Sequence, residues 1–458
     1  MRFFFRQYKR EIFFFIWATI VQMFCFVLTV RYGSGGFLWA ADSESYLRLG
    51  ENLLSHGMFV LDPAWGPTAF RTPLYPLFVA GLLWIFPKVS FVIIVQNIFS
   101  SFNVVFVYSF GKKFFNEKVA VLAAVLFSLE SSRVFFSNQL MSETLFLFFF
   151  IPAFFFLAQF LFRQAPWRDL VFGAAALGIA TLFRPITQLY PAFVFFFFLA
   201  VGFSSKQYKR FFFGALGVVL IYGIVISPWL IRNRLVFHEF KLSPLAGIQL
   251  YLVNAPHFLE YQAKRNGVTH EYYKELLEKL QKDLGMKIDE DHWTFESIRL
   301  MDFKYEKYLT SQFFEIIKED PLLYTRIHLQ RSVTFFLDSG ASQYYSTMLY
   351  RMNAIPQFVF YPVLFWGGRL VWLLIMGIVC FGVLYAFVLK KNIWLSVFFL
   401  FTMLYFPAIA AMNWMAPRFR LSINHLIYLL FAQAFFDLFL LISRHRARWR
   451  NNLTKHTS

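Results

Sequence analysis

Charge is scarce in this 458-residue chain: Asp, Glu, Lys and Arg make up only 15% of it, against about 25% in a typical soluble domain. That shortage excludes a string of ordinary soluble domains. Acid is scarcer than base, 26 Asp and Glu against 44 Lys and Arg, for a formal net charge of +18. Cysteine is almost missing. The two present, Cys25 and Cys380, lie in apolar stretches and have no disulfide or metal-ligand spacing. A Walker loop and a Gly-x-Gly-x-x-Gly turn are both lacking, which argues against a nucleotide-driven pump. The alternating ten-residue pattern of an outer-membrane barrel is lacking as well.

What the chain does have is apolar mass. Hydrophobic residues make up 58%, Phe alone accounts for 66 residues, and the mean hydropathy is +0.53. The runs are long, as in Phe193–Ala200 and Ile393–Phe406, and several uncharged stretches approach the roughly 20 residues that cross a bilayer. The expected fold is an all-α polytopic membrane protein.

The position of the positive charge says more than its amount. Basic residues cluster in short connectors: Arg2 to Arg10, Lys112/Lys113/Lys118, Arg163/Arg168, Lys206/Lys209/Arg210, Lys390/Lys391 and Arg444 to Arg450. Nucleic-acid binding needs such residues on one folded face. Scattered between apolar runs, they are the positive-inside signature. With each cluster placed in the cytoplasm, the thread is consistent. An uncleaved signal anchor near 12–30 leads to a first external loop, 31–72. Segment 73–110 makes one net crossing, with 73–86 as a re-entrant or membrane-edge piece. Spans near 119–137, 144–162, 168–183, 186–203 and 211–230 complete a module over 1–230. A helical external loop domain, 231–355, follows. The C-terminal helices occupy 356–443, with spans near 371–389, 393–412 and 421–442, and 444–458 is a basic tail. This makes about ten crossings, both termini inside.

Ionisable groups beside membrane spans are costly and need a reason. Under this threading, Asp42, Glu44, Arg71, Glu143, Arg184, Arg232, Arg234, Arg418 and Arg420 all fall at external helix ends. Acids and arginines from distant loops, gathered at one membrane face, are the makings of an anion-recognising site. Two readings of Asp42 stay open: an N-cap accepting backbone N–H bonds, or a general base for an acceptor hydroxyl or amine. It opens a helical pattern with Tyr46, Leu49 and Leu53 on one face, stopped by Gly57. Arg71 begins either a rigid turn or part of the site. Glu143 is either a helix-start acid or an orienting group. Arg184, Arg232, Arg418 and Arg420 break the charge bias, and a planar guanidinium suits a bidentate phosphate clamp.

At these residues the chain resembles a known family. Ala41-Asp42 through Leu53-Leu54-Ser55-His56-Gly57, then Arg71-Thr72-Pro73-Leu74-Tyr75-Pro76, resemble the first external loop of GT-C membrane glycosyltransferases, in the protein-O-mannosyltransferase-like and aminoarabinose-transferase-like group. Leu140-Met141-Ser142-Glu143-Thr144-Leu145, Thr181-Leu182-Phe183-Arg184-Pro185, Pro228-Trp229-Leu230-Ile231-Arg232-Asn233 and Arg418-Phe419-Arg420-Leu421 continue the match in order. The resemblance implies a GT-C-like bundle with seven helices before a large external loop, and a sugar donor carried on a polyprenyl phosphate such as undecaprenyl phosphate. It carries the role of base onto Asp42. Many relatives have an acidic pair there. Here Ser43 intervenes before Glu44, so a second acidic role and a divalent cation are both left open.

The expected function is inverting transfer of a sugar from that donor to a cell-envelope acceptor, at the outer face of a bacterial cytoplasmic membrane. Asp42 would serve as catalytic base, and Glu44, Tyr46, Arg71, Tyr75, Glu143, Arg184, Arg232, Arg418 and Arg420 would line the substrates. Two other readings are a flippase for lipid-linked sugars, which would claim Glu130, Arg133 and Asp437, and a polysaccharide polymerase or ligase.

Overall fold

The computed structural model describes residues 8–32, 42–268, 270–285, 302–337, 357–389, 393–410, 412 and 416–456. The first module opens with α1 (Lys9–Tyr32), the short amphipathic α2 (Ser43–His56) and α3 (Leu74–Ile85), followed by α4 (Val89–Phe114), α5 (Glu117–Ser128) and α6 (Ser131–Ser137). It continues with α7 (Glu143–Phe162), α8 (Trp167–Phe183), α9 (Tyr190–Ser205) and α10 (Tyr208–Phe237). Four shorter or mixed helices come next: α11 (Leu245–Ile248), which runs through a π turn into α12 (Ala255–Arg265), then α13 (Tyr272–Leu284) and α14 (Phe303–Ile317). The chain returns with α15 (Pro321–Leu337), α16 (Gln357–Val388), α17 (Ile393–Ala410) and α18 (Ala416–His456). The described residues contain no strand.

Eight of these helices are long and apolar enough to cross a membrane, and nine if the bent α5–α6 pair is one span. Helix α8 has 17 residues, about 25 Å at 1.5 Å per residue, and lies along α7 and α10. Helix α3 has 12 residues, roughly 18 Å, too short for a core of about 30 Å. Its exposed end, Trp84, Ile85 and Phe86, is apolar. The outer surface is apolar in general, with Phe13, Phe24, Phe196 and Phe203 each more than half exposed. Where helices touch closely, small residues allow it. A Cβ on Gly111 would lie 2.7 Å from the Cα of Ala120, so only glycine lets α4 and α5 meet there.

The expected single span at 119–137 is broken, and the two halves bend by 52°. A break frees carbonyls that lipid cannot satisfy. Arg133 satisfies them. Its guanidinium donates to the carbonyls of Phe127 (2.9 Å), Ser128 and Ser100, and to Ser100 Oγ (2.7 Å). Glu130 caps the second half by accepting from the backbone N–H groups of Ser132 and Arg133. Gln22 and Ser137 extend this buried polar seam from α1 to α6, since Ser100 Oγ accepts from Gln22 Nε2 and Gln22 Oε1 from Ser137 Oγ, both at 2.8 Å.

A separate apolar core joins the segment after α2 to the later helices: Leu49, Leu61 and Phe70 pack with Tyr251, Leu277, Leu280, Leu309 and Phe313. Leu276, Leu277 and Leu280 form the face that α13 buries.

Replacing Arg133 with Leu strips partners from several buried carbonyls at once, each costing about 1–3 kcal/mol. The expected result is a loss of about 2–4 kcal/mol, read as a lower denaturation midpoint in detergent. An unchanged midpoint would show that the break does not depend on Arg133.

Candidate active site

Helix α7 sets the geometry. Glu143 begins it and Phe162 ends it, a length of about 30 Å. At the Phe162 end the basic connectors meet: Arg163 donates to the Lys113 carbonyl (3.0 Å), Arg210 to the Ala165 carbonyl (2.6 Å) and Lys112 to Glu11 (3.2 Å). The acids and arginines singled out in the sequence gather at the other end.

There five charged side chains, from five parts of the chain, form one continuous line. Arg71, in the turn before α3, donates through Nη2 to Asp42 Oδ1 at 2.6 Å. Arg418, in the first turn of α18, donates through Nη2 to Asp42 Oδ2 at 2.5 Å and through Nε to Glu143 Oε1. Glu143 Oε1 also meets Nη1 of Arg184, which ends α8. The order is Arg71, Asp42, Arg418, Glu143, Arg184, so cations and anions alternate and one positive charge remains in excess.

The line is mostly withdrawn from solvent. The Glu143 side chain is 2% exposed and the Arg418 side chain 10%, but that of Asp42 keeps 22%. Asp42 is thus the acid within reach of a bound molecule. Burial alone would raise its carboxyl, but the charges and hydrogen bonds of Arg71 and Arg418 outweigh that and hold it well below the usual carboxylate range. The other oxygen of Glu143, Oε2, is buried with no hydrogen-bond partner.

The helix-cap reading of Asp42 fails for its side chain. Asp42 stands at the N-cap of α2, but its carboxylate makes no capping bond. Its backbone carbonyl does the local work, accepting from Ser45 Oγ at 2.7 Å, and the carboxylate is left to the arginines. Gly57 ends α2 in the left-handed region at φ 65°, as its position predicts.

Tyr46 and Tyr75 support the line from beneath. Their rings meet edge to face at 4.6 Å, and Arg71 lies over the Tyr46 ring at 4.9 Å. The Tyr46 hydroxyl is 3.1 Å from Ser142 Oγ. The Tyr75 hydroxyl donates to Gln96 Oε1 at 2.8 Å, while Gln96 Nε2 donates to the carbonyls of Ser137 and Gln139.

Three expected site residues lie elsewhere. Glu44 pairs with Arg48 one turn on, in solvent, because it sits two residues past Asp42 and α2 turns it away. Arg232 donates to the Thr68 carbonyl and to Asn233 Oδ1, both at 2.9 Å, and lies over Trp229, Phe237 and Phe59. It fastens the first loop to α10. Arg420 is fully buried, donates to the Phe335 carbonyl at 3.1 Å and to Asn424, and lies over Trp372. It ties α18 to α15 and α16. Sequence reading passed over Ser45, whose Oγ accepts from Arg71 Nε at 3.0 Å, and Gln96. The signal for Gln96 was there: a polar group within an apolar span.

The residues do not assemble a metal cage. Among those described, no three His, Cys, Asp or Glu groups converge. The two nearest carboxylates, Asp42 and Glu143, already hold the Arg418 guanidinium between them, where a cation would have to sit.

With this geometry in view, comparison with known proteins is informative. A family model described as dolichyl-phosphate-mannose-protein mannosyltransferase matches residues 70–231. Among solved structures, the archaeal oligosaccharyltransferase AglB from Archaeoglobus fulgidus, in complex with an inhibitory peptide and a dolichol-phosphate, aligns with a TM-score of 0.50 at 16% identity, over 98% of this chain and 52% of its own. ArnT from Cupriavidus metallidurans aligns at 12% identity in its apo state, with a TM-score of 0.41 over 92% of this chain and 76% of its own. Bound to undecaprenyl phosphate, it aligns at 12% identity and 0.43, over 93% and 78%. No curated protein matches the chain. The chain shares its fold with the archaeal oligosaccharyltransferase. The stretch from Phe70 to Ile231 is the part the mannosyltransferase model matches.

Breaking a buried ion pair from one side strands the other charge. Glu143→Gln is therefore expected to cost about 3–5 kcal/mol, and Glu44→Gln no more than about 0.5 kcal/mol. Denaturation midpoints of the two variants in the same detergent test this, and equal midpoints would remove Glu143 as the anchor of the line.

Proposed function

We propose that this chain is a glycosyltransferase that moves a sugar from a polyprenyl-phosphate-linked donor to a cell-envelope acceptor, a lipid, glycan or protein. The observation that carries the reading is the line of three arginines and two acids, one positive charge in excess, with Asp42 as its accessible acid. Three guanidinium groups gathered on two acids leave a positive charge that suits an anion. The lipid-phosphate character of the donor is supported by the family model, whose description names dolichyl-phosphate-mannose, and by the archaeal neighbour, described in complex with a dolichol-phosphate.

The chemistry follows from the charges. Asp42 takes the proton of the acceptor hydroxyl or amine as that atom attacks the anomeric carbon. The bond from that carbon to the phosphate oxygen breaks, and Arg71, Arg418 and Arg184 meet the charge left on the polyprenyl phosphate. Attack opposite the leaving phosphate inverts the anomeric centre. Glu143 holds Arg418 and Arg184 in place, and Tyr46 and Tyr75 fix the first loop under the reacting groups.

The basic connectors at the far end of α7 belong in the cytoplasm by the positive-inside rule. The site then opens on the outer face of a bacterial cytoplasmic membrane. On this reading 31–72 is the first external loop, 231–355 an external helical domain, and 356–443 the helices that return Arg418. The flippase reading loses its residues: Glu130 and Arg133 close a helix break, and Asp437 accepts from Gln433 at 2.8 Å within its own helix.

Purified protein given undecaprenyl-phosphate-linked sugars and a cell-envelope extract is expected to release undecaprenyl phosphate. Asp42→Asn should lower that rate by about 10²–10⁴-fold while keeping its helical circular-dichroism spectrum. Full turnover in the variant would remove Asp42 as base, and transport of the intact lipid without bond cleavage would replace the enzyme reading.

A further inference from the structure

Asp42 presents a difficulty for its own role. Both its oxygens are taken, Oδ1 by Arg71 and Oδ2 by Arg418. A carboxylate so held is a weak base. Nothing within the line relaxes that grip, because Arg418 is pinned from behind by Glu143, and Glu143 by Arg184.

The reaction itself supplies the release. In the donor the phosphate is a diester with one negative charge. When the acceptor oxygen or nitrogen bonds to the anomeric carbon, the carbon–oxygen bond to phosphate breaks and its electron pair stays on the phosphate. The monoester left behind carries a second negative charge. In the same step the acceptor proton moves to Asp42, which falls from one negative charge to none. The total around the arginines does not change; one charge moves from the carboxylate to the phosphate.

Resting on the glycosyltransferase reading, we propose that Arg418 is shared between Asp42 and the donor phosphate, and that protonation of Asp42 hands Arg418 to the leaving phosphate. The fork of Arg418 suits this. Nε stays on Glu143 as a fixed pivot, and the outer nitrogen that holds Asp42 is the one set free. The groups that face Asp42 are Arg71 from the α3 turn, Arg418 from α18 with Glu143 and Arg184 behind it, and Tyr46 and Ser45 from α2. Of the two acids in the line, Asp42 is the more exposed, so it is the one that yields.

The product alone tests this without a known sugar or acceptor. At pH 8 undecaprenyl phosphate is a dianion in solution, its second pKa lying near 6. Its binding to wild-type protein in nanodiscs is expected to take up protons, measured by titration calorimetry in two buffers of different ionisation enthalpy. Asp42→Asn, already neutral, should take up none and should bind about tenfold or more tightly, one adjacent like charge having been removed. Arg418→Lys keeps the charge but not the fork, and should lose both the uptake and the gain from adding Asp42→Asn. Wild-type binding without uptake, or Asp42→Asn binding no tighter, overturns the shared arginine and leaves the glycosyltransferase reading standing. Uptake unchanged in Arg418→Lys overturns the part given to Arg418. A protein that binds no undecaprenyl phosphate overturns both.

Discussion

One guanidinium holds this site together. Arg418 lies between Asp42, 376 positions away in the chain, and Glu143, 275 positions away. Those separations make it the clasp that closes the C-terminal helices onto the first module. A neutral side chain in its place would leave two acids facing each other with Arg71 and Arg184 at the flanks. A lysine would reach one acid and strand the other. The planar fork, with donors pointing in two directions, is what lets one residue neutralise both.

A buried ionic line is expensive, and the scaffold shows how the cost is contained. Every charge in it has a partner, and both ends are arginines that also lie over aromatic faces: Arg71 over Phe70 and Tyr46, Arg184 over Phe419. The apolar helices around it supply a low-dielectric setting in which the pairing is strong. The same rule governs the α5–α6 break farther along the bundle. There the freed carbonyls meet Arg133 instead of water, so the bend survives in an apolar core. Arg232 and Arg420 follow suit with carbonyl acceptors and tryptophan rings. Arginine in this chain is more often a mortar for backbone than a clamp for ligand.

That division explains what could be read in advance. The spans, the stop at Gly57 and the leucine face of 272–284 rest on local periodicity, which is written in consecutive residues. The gathering of Asp42, Arg71, Glu143, Arg184 and Arg418 at one end follows from counting crossings, so it too was legible. Whether an arginine at that level meets a carboxylate or a carbonyl was not. Arg418 and Arg420 are two residues apart, and a helix points them some 200° apart, at 100° per residue. One reaches Glu143 and the other Phe335. The motif carries no mark of which is which, because the choice depends on what the neighbouring helices bring.

The first loop shows the same dependence from the other side. Asp42 had two local roles open to it, and capping would have spent its carboxylate on its own helix. Ser45 relieves it by binding the Asp42 carbonyl and accepting from Arg71 Nε. Tyr46 adds the floor on which Arg71 lies. Two neighbours in one turn of helix, Ser45 and Tyr46, thus leave the acid to the arginines. Glu44, in the same turn, is left in solvent with Arg48 because the helix has already rotated past the site. That Asp42 is the more exposed of the two acids in the line is therefore a consequence of where α2 begins, and the surplus positive charge beside it follows from the same placement.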